Sequence, residues 1–203
     1  MADGEMHSSQ IRRKRPTFKT AHQFLKEGTF TTSPKLHYLS GEEREKKIKG
    51  VCDSLQETIR TQFPRTQNLE YAILKAHLIV EHALVQYVRC FARTAVSVSD
   101  IRFSFSQMLE VAYLLGFGAN DPILLPAVER LNKLRNQVVH TFDLDRVALD
   151  EMLQIYHEDY TDFKPKNDRE RIRILRWICA HVCGLTAGQI EASYYLSTHP
   201  SPP

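Results

Sequence analysis

The chain has 203 residues, of which 42% are hydrophobic and 25% are charged, and its formal net charge is +3. This composition is close to that of globular proteins and excludes a disordered or collagen-like chain, while the length suits a single domain with a sizeable core. No apolar run approaches the roughly 20 residues that cross a bilayer, and the N-terminus has no apolar signal-peptide core. We therefore expect a cytoplasmic protein that does not enter a membrane.

The N-terminal segment is basic and shows little periodicity. Residues 1–39 mix Gly, Pro, Ser and Thr with seven basic and three acidic side chains, which gives this segment a net charge of +4. It is predicted to be an irregular arm. Its run IRRKRP can hold phosphates by charge and predicts a nucleic-acid contact, and the alternative is a solvated arm without a ligand. The basic residues of this run are Arg12, Arg13, Lys14 and Arg15.

Two amphipathic helices are predicted next. Ser40 and Glu43 form a capping-box pattern, in which each side chain satisfies a backbone amide that the helix leaves unpaired. Apolar residues follow at helical spacing until Pro64 ends this first helix. The second helix covers about Leu69–Arg93, because its apolar residues recur every three or four positions throughout. It is long and is expected to be central.

A short third helix and a longer fourth one follow. Ser104 and the Gln three residues later repeat the capping-box pattern, and Gly116 can supply the left-handed residue that ends a helix. Asp121 stands directly before a proline, a combination typical of a helix start, and predicts a fourth helix over about 122–140. Pro126 removes a hydrogen bond inside this range, so the helix can also begin there.

The C-terminal part of the chain is predicted to hold two helices and a final short piece. One helix covers roughly Leu144–Tyr156. The next begins with Asn167 and Glu170 as its capping pair and ends at Gly184. A last piece, Ala187–Leu196, precedes a Pro-rich tail.

No segment alternates apolar and polar residues between turn signals as a strand would. The predicted fold is therefore all-α, an antiparallel helical bundle of five to seven helices. We divide the chain into the basic arm at 1–39, the bundle domain at 40–196 and the Pro-rich tail at 197–203.

The four cysteines, Cys52, Cys90, Cys179 and Cys183, lie on apolar helical patterns, which is typical of reduced thiols in a core. The last two are one helical turn apart and enclose His181. A tetrahedral metal site needs two ligand pairs with suitable spacing, and this group offers one. We therefore expect neither a metal nor another cofactor.

The segment Leu131–His140, LNKLRNQVVH, is the candidate catalytic segment. Asn136 and His140 share a helix face, whereas Arg135 lies about 140° around the axis from His140. Arg135 must therefore reach round, or the helix must loosen near Thr141. A histidine can exchange a proton with a ribose 2′-hydroxyl or a leaving oxygen, and an arginine can hold two phosphate oxygens. These residue types suit cleavage of a phosphodiester without a metal.

The spacing of this Arg and His is not specific by itself, because an Arg followed by a His five to seven residues later occurs three times in the chain. The structural alternative is that basic residues at a helix C-terminus interact with the helix dipole and that the Asn bonds to a nearby turn. The three pairs are Arg15/His22, Arg135/His140 and Arg176/His181.

Three segments, KAHLIVEHAL, FSFSQMLEVAYLLGF and LLPAVERLNKLRNQVVH, carry a wider similarity. Together they resemble the HEPN superfamily over residues 65–160, and in particular its branch of mannitol operon repressor-like proteins. The resemblance implies a HEPN-like core. It also implies, as in HEPN nucleases, a metal-independent ribonuclease site of Arg135, Asn136 and His140 where two protomers face each other. Members of the repressor-like branch keep a similar segment and are described as regulators.

His77 and Glu81, one turn apart on the second helix, are a candidate supporting pair. His82 is adjacent, but this spacing does not place two histidines four residues apart, which excludes a zinc metalloprotease motif. Since an uncompensated buried carboxylate is costly, Glu81 is predicted to pair with a basic group such as Arg135.

Three functions are compatible with the sequence. The first is a HEPN-type endoribonuclease or RNA-binding protein, a toxin or defence component, in which a homodimer brings two Arg135/His140 pairs to one basic cleft. The second is a non-catalytic transcriptional regulator of the same fold, which acts through protein or nucleic-acid contacts. The third is a helical adaptor without a nucleic-acid role. The expected partners are a second copy of the chain, RNA, and an antitoxin or regulator protein.

Overall fold

The computed structural model describes residues 41–91, 103–119, 121, 123–141, 143–155 and 165–198. These residues form an all-α bundle of six helices without a β-strand, as the sequence predicts. No helix in these ranges is both long and apolar enough to cross a membrane. The helices are α1 (Gly41–Gln62), α2 (Leu69–Phe91), α3 (Phe105–Leu114), α4 (Leu124–Thr141), α5 (Arg146–Ile155) and α6 (Asp168–Thr198). The predicted arm, with its basic run at 12–15, lies outside the described residues.

Helix α2 lies at the centre of the bundle, as predicted. It packs most extensively on α6 and also contacts α1, α3 and α4. Three alanines of α2, Ala72, Ala76 and Ala83, are fully buried, and their small side chains let neighbouring helices approach closely. At one of these approaches the Cys179 thiol of α6 donates to the Ala76 carbonyl oxygen at 3.9 Å.

The predicted capping box of α3 is confirmed. The Ser104 hydroxyl accepts a hydrogen bond from the Gln107 backbone amide at 3.3 Å, and the Gln107 side chain accepts one from the Ser104 amide at 2.9 Å. The helix ends at Leu114, and Gly116 follows with a φ of 96°, in the left-handed region that favours glycine. Local sequence chemistry therefore sets both ends of this helix.

Helix α4 begins at Leu124, between the two starts that the sequence predicts. The Asp121 carboxylate accepts a hydrogen bond from the Ile123 amide at 3.1 Å and so organises the turn before the helix. Pro126 is the third helical residue, where a backbone amide would have no partner within the helix, so its ring is tolerated. The apolar stripe of α4 faces the core through Leu124, Ala127, Val128, Leu131, Leu134 and Val138.

Helix α6 is one continuous helix of 31 residues, so the predicted end at Gly184 and the separate piece from Ala187 are wrong. Gly184 is exposed, but Cys183 and Thr186 on either side of it are buried in the bundle. Packing along both halves of the helix outweighs the roughly 1 kcal/mol that a glycine costs in a helix interior. The last two residues of α6 belong to the segment that the sequence assigns to the tail.

The four cysteines are free thiols, and three of them, Cys52, Cys179 and Cys183, are buried, which confirms their placement in the core. Cys90 is half-buried. Burial raises the pKa of the Cys183 thiol to about 12, so this group stays protonated at neutral pH. Within the described ranges no group of three or more His, Cys, Asp or Glu side chains is placed to hold a metal ion.

Candidate functional site

A polar stripe runs along α4 beside its buried face. It consists of Asn132, Asn136 and His140, which are spaced four residues apart, with Arg135 alongside. The stripe rises by about 12 Å from its first to its last residue, from the geometry of an α-helix. The helix remains regular to Thr141, so it does not loosen at this end.

Arg135 contacts Asn136, its neighbour in the chain. Its guanidinium Nη1 donates a hydrogen bond to the Asn136 side-chain oxygen at 2.9 Å, and both residues are half-buried. Asn136 lies on the same face of α4 as His140, because residues four apart in a helix are neighbours on its surface. The charged group of Arg135 is therefore held beside Asn136, which lies one helical turn before His140.

His140 is exposed near the C-terminal end of α4. The Thr141 hydroxyl next to it donates to the Gln137 carbonyl oxygen at 2.8 Å, which completes the last turn. In the part of the chain that the structure describes, no hydrogen bond or ion pair holds the His140 imidazole. The structure thus brings Arg135 and Asn136 into contact and leaves His140 accessible to solvent, without a direct contact to either of them.

A hydrogen-bonded network that the sequence does not reveal connects three helices at the start of the stripe. His77 of α2 lies with its Nε2 3.1 Å from the Asn132 side-chain oxygen, and the Asn132 amide nitrogen donates to the Ser106 hydroxyl of α3 at 3.3 Å. The imidazole ring also packs on Phe105, with 4.2 Å between the ring centroids. Asn132 could be found from its position one turn before Asn136, but no sequence signal points to Ser106.

Glu81 lies beside His77. Its Oε2 lies 3.9 Å from His77 Nδ1, and among the described residues no ion pair joins Glu81 to Arg135. The predicted pairing is therefore wrong. The Glu81 side chain is 40% exposed, so its carboxylate keeps contact with water and does not need a cation to compensate burial.

The His77 imidazole is held in its neutral form. Burial lowers its pKa, as does the positive charge of Arg135, and these effects exceed the opposite effects of Asn132 and Glu81. Because the Asn132 oxygen is an acceptor, His77 Nε2 carries the proton and donates it. The other ring nitrogen, Nδ1, is buried without a hydrogen-bond partner in the described structure.

This neutral histidine predicts that acid destabilises the fold. Burial lowers the pKa of His77 and also that of His82 in the folded chain. In the unfolded chain both histidines have a pKa of about 6.5, the usual value. As the pH falls towards and below this value, the unfolded chain therefore binds protons more readily than the folded chain. The free energy of unfolding should therefore fall as the pH is lowered from about 7 towards 5. Urea denaturation at several pH values measures this slope. His77→Gln should make it shallower, His77→Gln/His82→Gln shallower still, and an unchanged slope in both variants contradicts this account.

A groove of about 490 Å³ opens beside the same network, between α3 and α4. Ser106 and Asn132 line one part of it, together with apolar side chains from both helices. We call it the α3–α4 groove. Its apolar lining residues are Leu109, Tyr113 and Leu125.

Comparison of the chain with protein-family models, with curated proteins and with solved structures finds no match. The resemblance of residues 65–160 to the HEPN superfamily therefore stays a prediction.

Proposed function

We propose that this protein is a metal-independent endoribonuclease of the HEPN type, with Arg135, Asn136 and His140 as its catalytic residues. The observation that carries the proposal is the hydrogen bond from Arg135 to Asn136, which holds a guanidinium one helical turn before His140. The remaining donors of this guanidinium match the oxygens of a phosphate. The exposed imidazole completes the set of groups that the reaction requires.

The proposed reaction is an internal displacement at the phosphodiester. His140 takes the proton from the ribose 2′-hydroxyl, and the freed oxygen attacks the phosphorus. The bond from phosphorus to the 5′-oxygen breaks, and an acid returns a proton to that oxygen. The products are a 2′,3′-cyclic phosphate and a 5′-hydroxyl end. Arg135 stabilises the negative charge that develops on the phosphate oxygens, and Asn136 orients Arg135.

A homodimer supplies both the base and the acid for this reaction. Each chain contributes one His140. Within one chain, this residue lies about 7.5 Å along the helix from Arg135 and about 140° around its axis. Two copies of α4 facing one cleft bring two imidazoles and two guanidinium groups to one phosphodiester. His140 of the partner subunit is then the acid that protonates the leaving oxygen.

The direct test is RNA cleavage by the purified protein in the presence of EDTA. Both single-stranded and structured RNA are used, and the oligomeric state is measured in parallel by light scattering. We expect cleavage that EDTA does not inhibit and products that end in a 2′,3′-cyclic phosphate. A dimer that leaves both kinds of RNA intact would falsify the proposal.

A non-catalytic transcriptional regulator of the same fold is the second candidate, and exposed apolar side chains favour it. Leu114 at the end of α3 is 82% exposed and Tyr113 beside it is 55% exposed, a combination that suits contact with another protein, such as an antitoxin or a regulator. On this alternative, His140→Ala changes the stability of the oligomer and RNA stays intact.

A further inference from the structure

The α3–α4 groove begins where the polar stripe begins. Asn132 and Ser106, which line the groove, join α4 to α3 through a hydrogen bond between their side chains. Asn132 lies one helical turn before Asn136, the residue that binds the Arg135 guanidinium. A molecule that fills the groove therefore ends within about one turn of Arg135 and Asn136, or about 6 Å along the helix, and about 12 Å from His140.

The groove combines a stacking surface with hydrogen-bond acceptors. Tyr113 offers an aromatic ring that is more than half exposed, and leucines from both helices complete the apolar lining. Glu110 of α3 and Glu129 of α4 add two exposed carboxylates, and Lys133 adds one ammonium group. In the described part of the chain neither of these carboxylates forms a salt bridge, so both are available as acceptors.

We propose that this groove binds a guanine base of the RNA strand, an inference that rests on the proposed function and names its substrate more closely. Guanine presents an N–H and an NH₂ side by side on its Watson–Crick edge, and a carboxylate has two oxygens that accept both. Adenine and cytosine place an acceptor nitrogen beside their amino group, which faces a carboxylate unfavourably. Uracil offers a single N–H between two carbonyl groups.

The other features of the groove agree with this occupant. Tyr113 can stack on the face of the base, a contact that every base accepts and that therefore adds affinity without selectivity. Lys133 can neutralise the phosphate that accompanies the base. The volume of about 490 Å³ lies in the range of small-molecule sites. A basic amphipathic peptide also complements carboxylates beside an apolar surface, but it would not explain why the groove opens next to Arg135 and Asn136.

Binding of the four nucleoside 5′-monophosphates tests the groove without requiring catalysis. The chemical shifts of the backbone amides are followed by NMR during titration of the full-length protein. We expect GMP to bind at least about tenfold more tightly than AMP, CMP or UMP and to shift α3 and α4 amides along the groove, as loss of a charge-assisted hydrogen bond implies. Glu129→Gln and Glu110→Gln should each weaken GMP binding, the more important of them by about tenfold.

Matched controls separate the groove from the rest of the surface. Tyr113→Ala should weaken all four nucleotides, whereas Tyr71→Ala, which removes a similarly exposed tyrosine from α2, should not. Glu45→Gln on α1 changes the net charge as Glu129→Gln does and should leave GMP binding unchanged. Equal affinities for the four nucleotides, or shifts outside the groove, overturn the inference. The inference is also overturned if a helical peptide of leucine and lysine shifts the amides of the groove and no nucleotide does.

Cleavage of RNAs that differ at a single base separates this inference from the proposed function. If the wild-type protein cuts next to guanine and Glu129→Gln or Glu110→Gln removes this base preference, the result supports both the ribonuclease proposal and the guanine site. Cuts without a base preference overturn the groove inference and leave the ribonuclease proposal standing. Selective GMP binding in the groove without any RNA cleavage supports a guanine site and overturns the ribonuclease proposal.

Discussion

His140→Ala is expected to reduce the rate of RNA cleavage by about 10²- to 10⁴-fold, the usual contribution of a general acid or base. The imidazole is exposed and has no hydrogen-bond partner among the described residues, so its removal should leave the fold intact. The initial rate of cleavage of a labelled RNA measures the loss, and thermal unfolding followed by circular dichroism measures the stability. A variant that is as stable and as active as the wild type contradicts the catalytic role.

The arginine partner of this histidine can be tested by graded changes. Arg135→Lys keeps the charge but loses the planar group that binds two oxygens, so it should recover only part of the activity that Arg135→Ala removes. Asn136→Ala should lower the rate less than Arg135→Ala does, because Asn136 positions the guanidinium through one hydrogen bond. Equal activity of the Lys and Ala variants would indicate that Arg135 does not contact the phosphate.

The chain contains a matched control for these variants. Arg176 and His181 on α6 have the same spacing as Arg135 and His140. His181 contacts Asp121, with 3.2 Å between Nε2 and Oδ2, and stacks on Trp177. Arg176→Ala and His181→Ala should therefore leave the rate of RNA cleavage unchanged, although the second can lower stability. Loss of cleavage in both would show that the motif spacing does not identify the site.

The helices could be predicted from the sequence where their signals are local. The capping box at Ser104 and the glycine at Gly116 act within a few residues, so they set the ends of α3 as predicted. The same logic fails at Gly184, because burial of the residues on both sides of it, and not the local preference of glycine, decides whether α6 continues.

The candidate site was predictable along one helix but not across helices. Helical spacing places Asn136 and His140 on one face of α4, with Arg135 next to Asn136 in the chain. The contact of His77 with Asn132 joins residues that are 55 positions apart, and sequence alone gives no register between α2 and α4. The wrong partner for Glu81 has the same origin, because its solvent exposure depends on how the helices pack.

Phe117→Ala is expected to lower the free energy of unfolding by about 3–5 kcal/mol, the cost of deleting a fully buried aromatic side chain. Phe117 lies between Gly116 and Gly118, whose φ angles of 96° and 72° turn the connection between α3 and α4 so that the ring enters the core. There it packs edge-on against Tyr87 of α2, with 5.2 Å between the ring centroids.

Urea denaturation measures the loss of stability in Phe117→Ala. The control is Tyr113→Ala, which removes an exposed aromatic side chain from the adjacent helix and should change the free energy of unfolding by less than about 0.5 kcal/mol. A loss below about 1 kcal/mol for Phe117→Ala would mean that this connection does not anchor α4, and with it the polar stripe, to the central helix.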